Sequence, residues 1–299
     1  MVKDFITLLD YTEAEITALL DLADTLRDAG HAGRLPQNLK GKSLALIWDA
    51  GGFRNRVTFE LGIAQMGGIA VQIPGQLDGR ESIEDVARYL DNWFDGIVTR
   101  TQTMCHVQRL AAASSKPVIN ARTDFNHPCE ILGDLAYIRT KRGTLEGLKV
   151  VFVGEATNLC HPWFAGAARL PIEVVQVCPE GYEVRADFLS EARDGAVGTL
   201  RIGHDLISEL KDADVVYTDC WPQRTSPEER RHIAAQFLPY QITASRLRTA
   251  PAGVMFLPCP PVTRGEEVSA DAMAYLGDHV YEAKEYLLHA QNAVLTTLI

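Results

Sequence analysis

An α/β protein of two domains, each a parallel sheet covered by helices, is what this sequence predicts, and three observations predict it. Apolar, β-branched runs at 43–48, 69–73, 96–99, 117–119, 149–153, 172–177, 214–217 and 253–257 alternate with helical patterns, the signature of parallel sheets with covering helices. The 299 residues are long for one core and suit two of roughly 130–150 residues each. The polar stretch Lys141-Arg-Gly-Thr-Leu-Glu-Gly-Leu-Lys149 carries two glycines and precedes a fresh apolar run, Val150 to Gly154. The boundary is therefore expected there, giving domains 1–145 and 146–299, with the C-terminal helix packing back on the first.

The first helix is announced by Thr12. Its hydroxyl can N-cap, Glu15 three residues on completes a capping box, and Ile16, Leu19, Leu20, Leu22 and Leu26 form an apolar face. The run Ser43 to Ile47 reads as a strand. Trp48-Asp-Ala-Gly-Gly-Phe-Arg-Asn-Arg56 follows it as a glycine-containing turn and opens a helical pattern to about Gly67. Further helical patterns lie at 83–92, 105–113 and 227–236.

The formal charge of −10 argues against a nucleic-acid or polybasic membrane partner for the chain as a whole. No apolar run approaches the ~20 residues of a membrane span, and the first residues lack the pattern of a secretory signal, so a cytoplasmic protein is expected. Six cysteines (105, 129, 160, 178, 220 and 259) form no C-x-x-C pair, and the eight histidines form no ligand pattern. Reduced thiols and no metal or organic cofactor are the expectation.

A strand, a glycine turn and a helix N-terminus with two arginines make an anion site, because unpaired helix N–H groups and the macrodipole favour negative charge there. Arg54 adds a fork of donors matched to phosphate oxygens. Two surface arginines on a solvated turn would be the ordinary alternative. Ligands of parallel sheets bind beyond the carboxyl ends of the strands, which singles out Gly51 to Arg56, Gln76 to Ser82, Arg100, Asn126-His127, Glu155 to Asn158, Asp219 and Cys259. The first half is rich in groups for an anion. Asn158 and Asp219 suit an amino acid or amine.

Along nearly its full length the chain resembles the aspartate and ornithine carbamoyltransferase family, the ornithine-type branch more than the aspartate branch. Gly52-Phe-Arg-Asn-Arg56 stands where the family has its S-T-R-T-R phosphate loop, and Gly79 to Arg88 is similar to the loop and helix that completes a neighbouring subunit's site. Val118 to Asp134 resembles the H-P-x-Q region, and Val215 to Trp221 and His289 to Leu295 resemble ornithine-type segments. The resemblance implies an enzyme with a carbamoyltransferase-like fold and transfer of a carbamoyl group from carbamoyl phosphate to a small amine or amino acid, without metal or cofactor. It implies a donor site of Gly52, Phe53, Arg54, Asn55, Gln76, Arg100, His127 and Glu130, with Gln76 reaching in from an adjacent subunit of a homotrimer or a multiple of it. Arg54, Arg100, His127 and Cys259 are the implied catalytic groups. Asn158, Asp219, Cys259 and Pro260 would take the acceptor, and Arg56 would be structural, paired with Glu60 one turn on.

The departures from the pattern point to a divergent member. Gly52, Phe53 and Asn55 replace the loop's serine and threonines, Glu130 replaces the glutamine of H-P-x-Q, and Leu287 stands at an expected arginine. Asp219-Cys-Trp-Pro-Gln-Arg-Thr225 lacks the serine and methionine of the ornithine loop, and Pro258 replaces the histidine of H-C-L-P. An acceptor other than plain ornithine is therefore expected, with a different acyl-phosphate donor, or a ligand-binding relative without turnover, as alternatives. Glu130 is open between a ligand contact and an acid stabilised by its helix dipole. Asp219 is open between a ligand group and a strand-end cap, and Cys259 between a site thiol and packing.

Overall fold

A computed structural model describes every residue except Met1, Ala50, Gln76, Asp78, Arg224, Thr225 and Leu276. The first elements are α1 (Glu13–His31), β1 (Ser43–Trp48), α2 (Phe53–Gln65), β2 (Ile69–Pro74), α3 (Ile83–Asp91), β3 (Gly96–Arg100), α4 (Met104–Ala113), β4 (Val118–Arg122) and α5 (Pro128–Arg142). Then come β5 (Lys149–Val153), α6 (Cys160–Arg169), β6 (Glu173–Val177), α7 (Ala186–Arg193), β7 (Thr199–Gly203), α8 (Leu206–Leu210) and β8 (Val215–Thr218). The chain continues with α9 (Pro227–Phe237), α10 (Ala244–Leu247), β9 (Met255–Pro258), α11 (Ala270–Tyr275) and α12 (His279–Leu298). Contacts divide them into two units, Met1–Lys141 with Lys284–Ile299, and Arg142–Ala283. The division falls a few residues before 145/146 because α5 itself runs to Arg142.

The first unit holds a parallel sheet in the order β2-β1-β3-β4. Leu44 to Ile47, Ile97, Val98, Val118 and Ile119 are buried, as expected of strands covered on both faces. Thr12 caps α1 as the sequence requires: its hydroxyl accepts from Glu15 N and the Glu15 carboxylate accepts from Thr12 N, a pairing that stabilises by about 1 kcal/mol. The buried face of α1 is Ile16, Leu19, Leu20, Ala23 and Leu26, so Ala23 takes the inner position and Leu22 lies at its flank. The last helix enters this unit through two close approaches. A Cβ on Gly62 would lie 2.0 Å from Asn292 Oδ1, and one on Gly133 would lie 3.0 Å from Leu287 Cα, so both glycines make room for the α12 backbone and side chains.

The second unit is a parallel sheet in the order β7-β6-β5-β8-β9 around a core that includes Val151, Val153, Val175, Val177, Val216 and Phe256. The edge strand β7 is missing from the sequence expectation. Its sequence Thr-Leu-Arg-Ile-Gly has little apolar content, and what seats it is tertiary: Arg201 reaches Glu173 (2.7 Å) and Glu209 (2.8 Å), and Gly198 lies where a Cβ would be 2.1 Å from Ile172 O. In each sheet the strand order reverses beside the unit's first strand, between β1 and β3 and between β5 and β8. Such switch points open a crevice at the strands' carboxyl ends. No helix among the described residues is long and apolar enough to cross a membrane.

Candidate active site

At the switch point of the first unit, the backbone ends of β1 and β3 are tied by Asp49. Its N–H donates to Arg100 O (3.2 Å) and its carboxylate accepts from Gln102 N (2.8 Å). Gly52 is the N-cap of α2 in the left-handed region, φ +70°, which only glycine enters cheaply. A Cβ there would fall 2.4 Å from the Arg100 Cζ, so the glycine also lets that guanidinium lie directly against the helix N-terminus. The α2 N–H groups and Arg100 thus share one place, an arrangement suited to an anion. Arg54, in the first turn of α2, holds its guanidinium 4.8 Å from the centre of the Phe53 ring. Arg56 pairs with Glu60 at 2.9 Å, as expected of a structural arginine at i, i+4.

Beneath this surface lies a buried polar cluster. Asn55 donates from Nδ2 to Ala121 O (2.7 Å), and its Oδ1 accepts from Gln291 Nε2 on α12 (2.7 Å). Those contacts fix the amide's orientation and leave the Nδ2 group donating to His127 Nε2 at 3.4 Å. Nε2 is then the acceptor of a neutral imidazole, which puts the ring proton on Nδ1, a buried atom without a partner among the described residues. Burial is the main cause that lowers the His127 pKa to about 4. Arg100, Arg122 and Lys284 act in the same direction, and Glu130 against it.

Glu130 settles into a role the sequence left open. Its carboxylate accepts from Lys284 Nζ on α12, which also donates to Asp134 Oδ1 one turn along α5 (3.1 Å). Burial pushes the Glu130 carboxyl up, but Lys284 foremost, through its charge and its hydrogen bond, outweighs burial and holds it below the usual carboxylate range. With His127 neutral, the 3.7 Å approach of His127 Nε2 to Glu130 is not an ion pair, and Lys284 carries the neutralisation. Lys284 and Gln291 were not singled out from sequence. The available signal was Glu130 and Asp134 at i, i+4 within a helix that is otherwise apolar through Ile138, which demands a buried cation from elsewhere.

Phe53 is 68% exposed and lines an open groove with Trp48, Gly51 and Val57 instead of entering the buried cluster. Gln76 lies outside the described residues. Asn55, expected to meet a ligand, spends its side chain on Ala121, Gln291 and His127, so it orients the imidazole.

At the second unit's switch point, Glu155 and Asn158 follow β5, and Asp219 follows β8. Cys259 and Pro260 follow β9, and Cys259 N donates to Thr218 O (2.8 Å). Asp219, Asn158, Cys259 and Pro260 are all half-buried, and Asp219 Oδ1 accepts from Cys220 N (2.8 Å). The sequence reading missed Glu267. It is 2% exposed, and its Oε1 accepts from Thr263 N while Oε2 has no partner among the described residues. Burial, with Glu266 and Asp219 adding to it, pushes its pKa up to about 7. Burial likewise raises the Cys220 thiol, with Asp219, Glu267 and Glu155 adding to the shift, so these three acids gather around one spot. Such a cluster favours a cationic ligand.

Two family models match the chain in order, the second running on through the α12 residues that pack with the first unit. Residues 3–140 match the carbamoyl-P binding domain of aspartate/ornithine carbamoyltransferase, and residues 146–298 match its Asp/Orn binding domain. Over 305 residues, 99% of the chain, it is 38% identical to a protein named ornithine carbamoyltransferase from Oceanobacillus iheyensis, of which it covers 94%. A namesake from Carboxydothermus hydrogenoformans is 39% identical, again over 99% of this chain and 97% of its own. Among solved structures, the ornithine carbamoyltransferase of Pyrococcus furiosus superposes with a TM-score of 0.93 at 36% identity, covering 98% of this chain and 96% of that one. Full-length similarity at this level, with both domain models in order, means that the chain belongs to the aspartate/ornithine carbamoyltransferase family and is a carbamoyltransferase-like enzyme.

Proposed function

We propose that this protein transfers the carbamoyl group of carbamoyl phosphate to the amine of a small amino acid other than plain ornithine. The observation that carries the reading is the Arg100 guanidinium lying against the glycine N-cap of α2, near enough to the buried neutral His127 to help lower its pKa. In the reaction the amine nitrogen attacks the carbonyl carbon, the bond to the bridging oxygen breaks, phosphate leaves and the amine loses a proton to solvent. Arg54, Arg100 and the α2 N–H groups stabilise the charge that gathers on the phosphate. His127 keeps its Nδ1 proton across the neutral range and donates it to the carbonyl oxygen once donor binding uncovers that buried nitrogen. In the second unit Asp219 and Glu267 take the ammonium end of the acceptor, Asn158 its carboxylate, and Cys259 with Pro260 flanks the attacking nitrogen.

The acceptor is the finer part of the reading. Relatives named for ornithine make ornithine the first compound to test, whereas the changed segment after Asp219 and the loss of the histidine at Pro258 support a different side chain. The assay is release of phosphate and of a ureido product from carbamoyl phosphate with ornithine and a panel of diamino and amino acids. Ornithine as the best acceptor would overturn the finer reading, and no turnover with any acceptor would overturn the whole. Arg100→Ala should weaken phosphate binding by about 1.5–3 kcal/mol in titration calorimetry, the worth of a hydrogen bond to a charged group. The hydroxyls lost at Gly52, Phe53 and Asn55 support a second reading, a different acyl phosphate as donor; acetyl phosphate replacing carbamoyl phosphate in the same assay distinguishes it.

A homotrimer, or a multiple of it, belongs to the same reading, with Gln76 reaching a neighbour's site. It is supported by the exposed stripe Phe53, Val57 and Leu61 along α2 and by exposed Ile69 and Val71 on the edge strand β2. An uncovered apolar edge of this kind is a liability in a monomer. A cytoplasmic location is supported by six cysteines that are all unpaired, as a reducing compartment keeps them.

A further inference from the structure

The loop after β6 and the residue after β7 bring together three side chains that the proposed reaction does not use. Cys178, Glu183 and His204 place Sγ, a carboxylate oxygen and a ring nitrogen within 4.8 Å of one another. Their spacing of five and twenty-one residues matches no ligand pattern; adjacency of the two parallel strands creates the cluster. Each donor is held facing inward. His204 Nδ1 lies 2.8 Å from Cys178 O, a carbonyl that can only accept, so the proton sits on Nδ1 and the Nε2 lone pair is left toward Glu183 Oε1 at 3.8 Å. A backbone carbonyl orienting the far nitrogen is the usual outer contact of a ligating histidine. The other Glu183 oxygen accepts from Gly181 N (2.8 Å), which fixes the carboxylate. Cys178 is fully buried, and Glu180 and Asp205 lie near enough with Glu183 to raise the Tyr240 hydroxyl's pKa, after burial itself, so the surroundings are negative.

We propose that Cys178, Glu183 and His204 form a binding site for a thiophilic divalent cation of the zinc type, with water as the fourth ligand. One sulfur, one imidazole and one carboxylate are the donor types zinc takes, and an ordinary tetrahedral site needs donors about 3.5 Å apart, which asks these to close by about 1 Å. On binding, the Cys178 S–H bond gives its proton to solvent as the sulfur–metal bond forms. Burial, with Glu183 adding to it, pushes that thiol up to about 12, so binding at neutral pH should release about one proton. The ion would fasten the 178–184 loop, whose Tyr182 O accepts from Ala156 N (3.0 Å).

Cobalt is the probe, because a thiolate ligand gives a charge-transfer band that imidazole and carboxylate do not. Titration of the chelator-treated full chain with Co2+ should develop that band, with tetrahedral d–d absorption, at one equivalent, and Zn2+ should displace it. Cys178→Ser should abolish the band while Cys259→Ser retains it, and His204→Gln, at an exposed position, should weaken Co2+ binding by about 10–100-fold or more. The second cluster, His31, Glu285 and His289, carries no sulfur and cannot imitate the signal. No thiolate band in the wild-type chain, a band that survives Cys178→Ser, or one lost in Cys259→Ser would each overturn the site. Circular dichroism of His204→Gln guards against reading misfolding as lost binding.

Discussion

Glu130, open in the sequence between a ligand contact and a dipole-stabilised acid, pairs with Lys284, and that pairing changes what its substitution tests. The carboxylate is already met by a buried ammonium, so its charge serves an internal balance in which Asp134 shares. Lys284→Met would take the ammonium from two buried carboxylates and should lower unfolding free energy by about 3–5 kcal/mol. Glu130→Gln leaves Lys284 with Asp134 and should cost about 1–2 kcal/mol. Denaturant melts of the two variants measure the difference, and equal losses would refute the shared balance. Glu267 offers a pH test. Its folded pKa of about 7 lies above the usual 4.5, so the neutral form favours folding: the contribution is full below about 4.5 and is lost as pH rises through 7. Glu267→Gln keeps the bond from Thr263 N and removes that loss. It should therefore raise stability at pH 8 by up to about 3 kcal/mol and flatten the profile between the two pKa values. A variant no more stable than wild type at pH 8 would show that the carboxylate is ionised in the fold at no cost.

The N-terminus of α2 is the element on which anion binding turns. Gly51 and Gly52 both have positive φ, 53° and 70°, yet of the two only at Gly52 would an added Cβ meet another described residue. Backbone strain and displacement of Arg100 can therefore be separated. Gly51→Ala and Gly52→Ser should each cost about 1–2 kcal/mol of stability for a non-glycine residue in the left-handed region. Only Gly52→Ser should also push the Arg100 guanidinium away and weaken phosphate binding, by about tenfold, the lower end of a lost charge-assisted contact. Equal phosphate affinity in the two variants would sink the proposed coupling of Gly52 to Arg100. Gly52 stands where the family pattern has serine, and the space that a serine side chain would need is taken by the Arg100 guanidinium.

For the whole molecule, the question is what covers α2 and β2. Phe53, Val57 and Leu61 lie four residues apart on one helical face and are 68%, 43% and 47% exposed, more than an isolated helix surface with a core beneath it needs to show. Ile69 and Val71 extend the apolar surface onto the edge of the sheet. Sedimentation of the wild-type chain at micromolar concentration should therefore give a trimer or a multiple of it. Val57→Asp with Leu61→Asp should shift it toward monomer without loss of helix content. A wild-type chain that sediments as monomer would remove the basis for a shared site at Gln76.

The sequence by itself determined the alternation of strands and helices, the capping of α1 by Thr12 and Glu15, the Arg56–Glu60 pair and the candidate residues at strand ends. These rest on local periodicity, short-range hydrogen bonds and the rule that parallel strands present ligands at their carboxyl ends, all of which are written in neighbouring residues. Tertiary structure alone decided the rest. β7, whose sequence Thr-Leu-Arg-Ile-Gly is a weak local signal, pairs with β6 along its length and ties Arg201 to Glu173 and Glu209. Lys284 neutralises Glu130 across 154 positions of chain, Gln291 steadies Asn55 across 236, and Gly52 owes its identity partly to an arginine on another strand. A buried charge or amide takes whichever partner packing delivers to it. That delivery depends on helices and strands far apart in sequence, which no local pattern records.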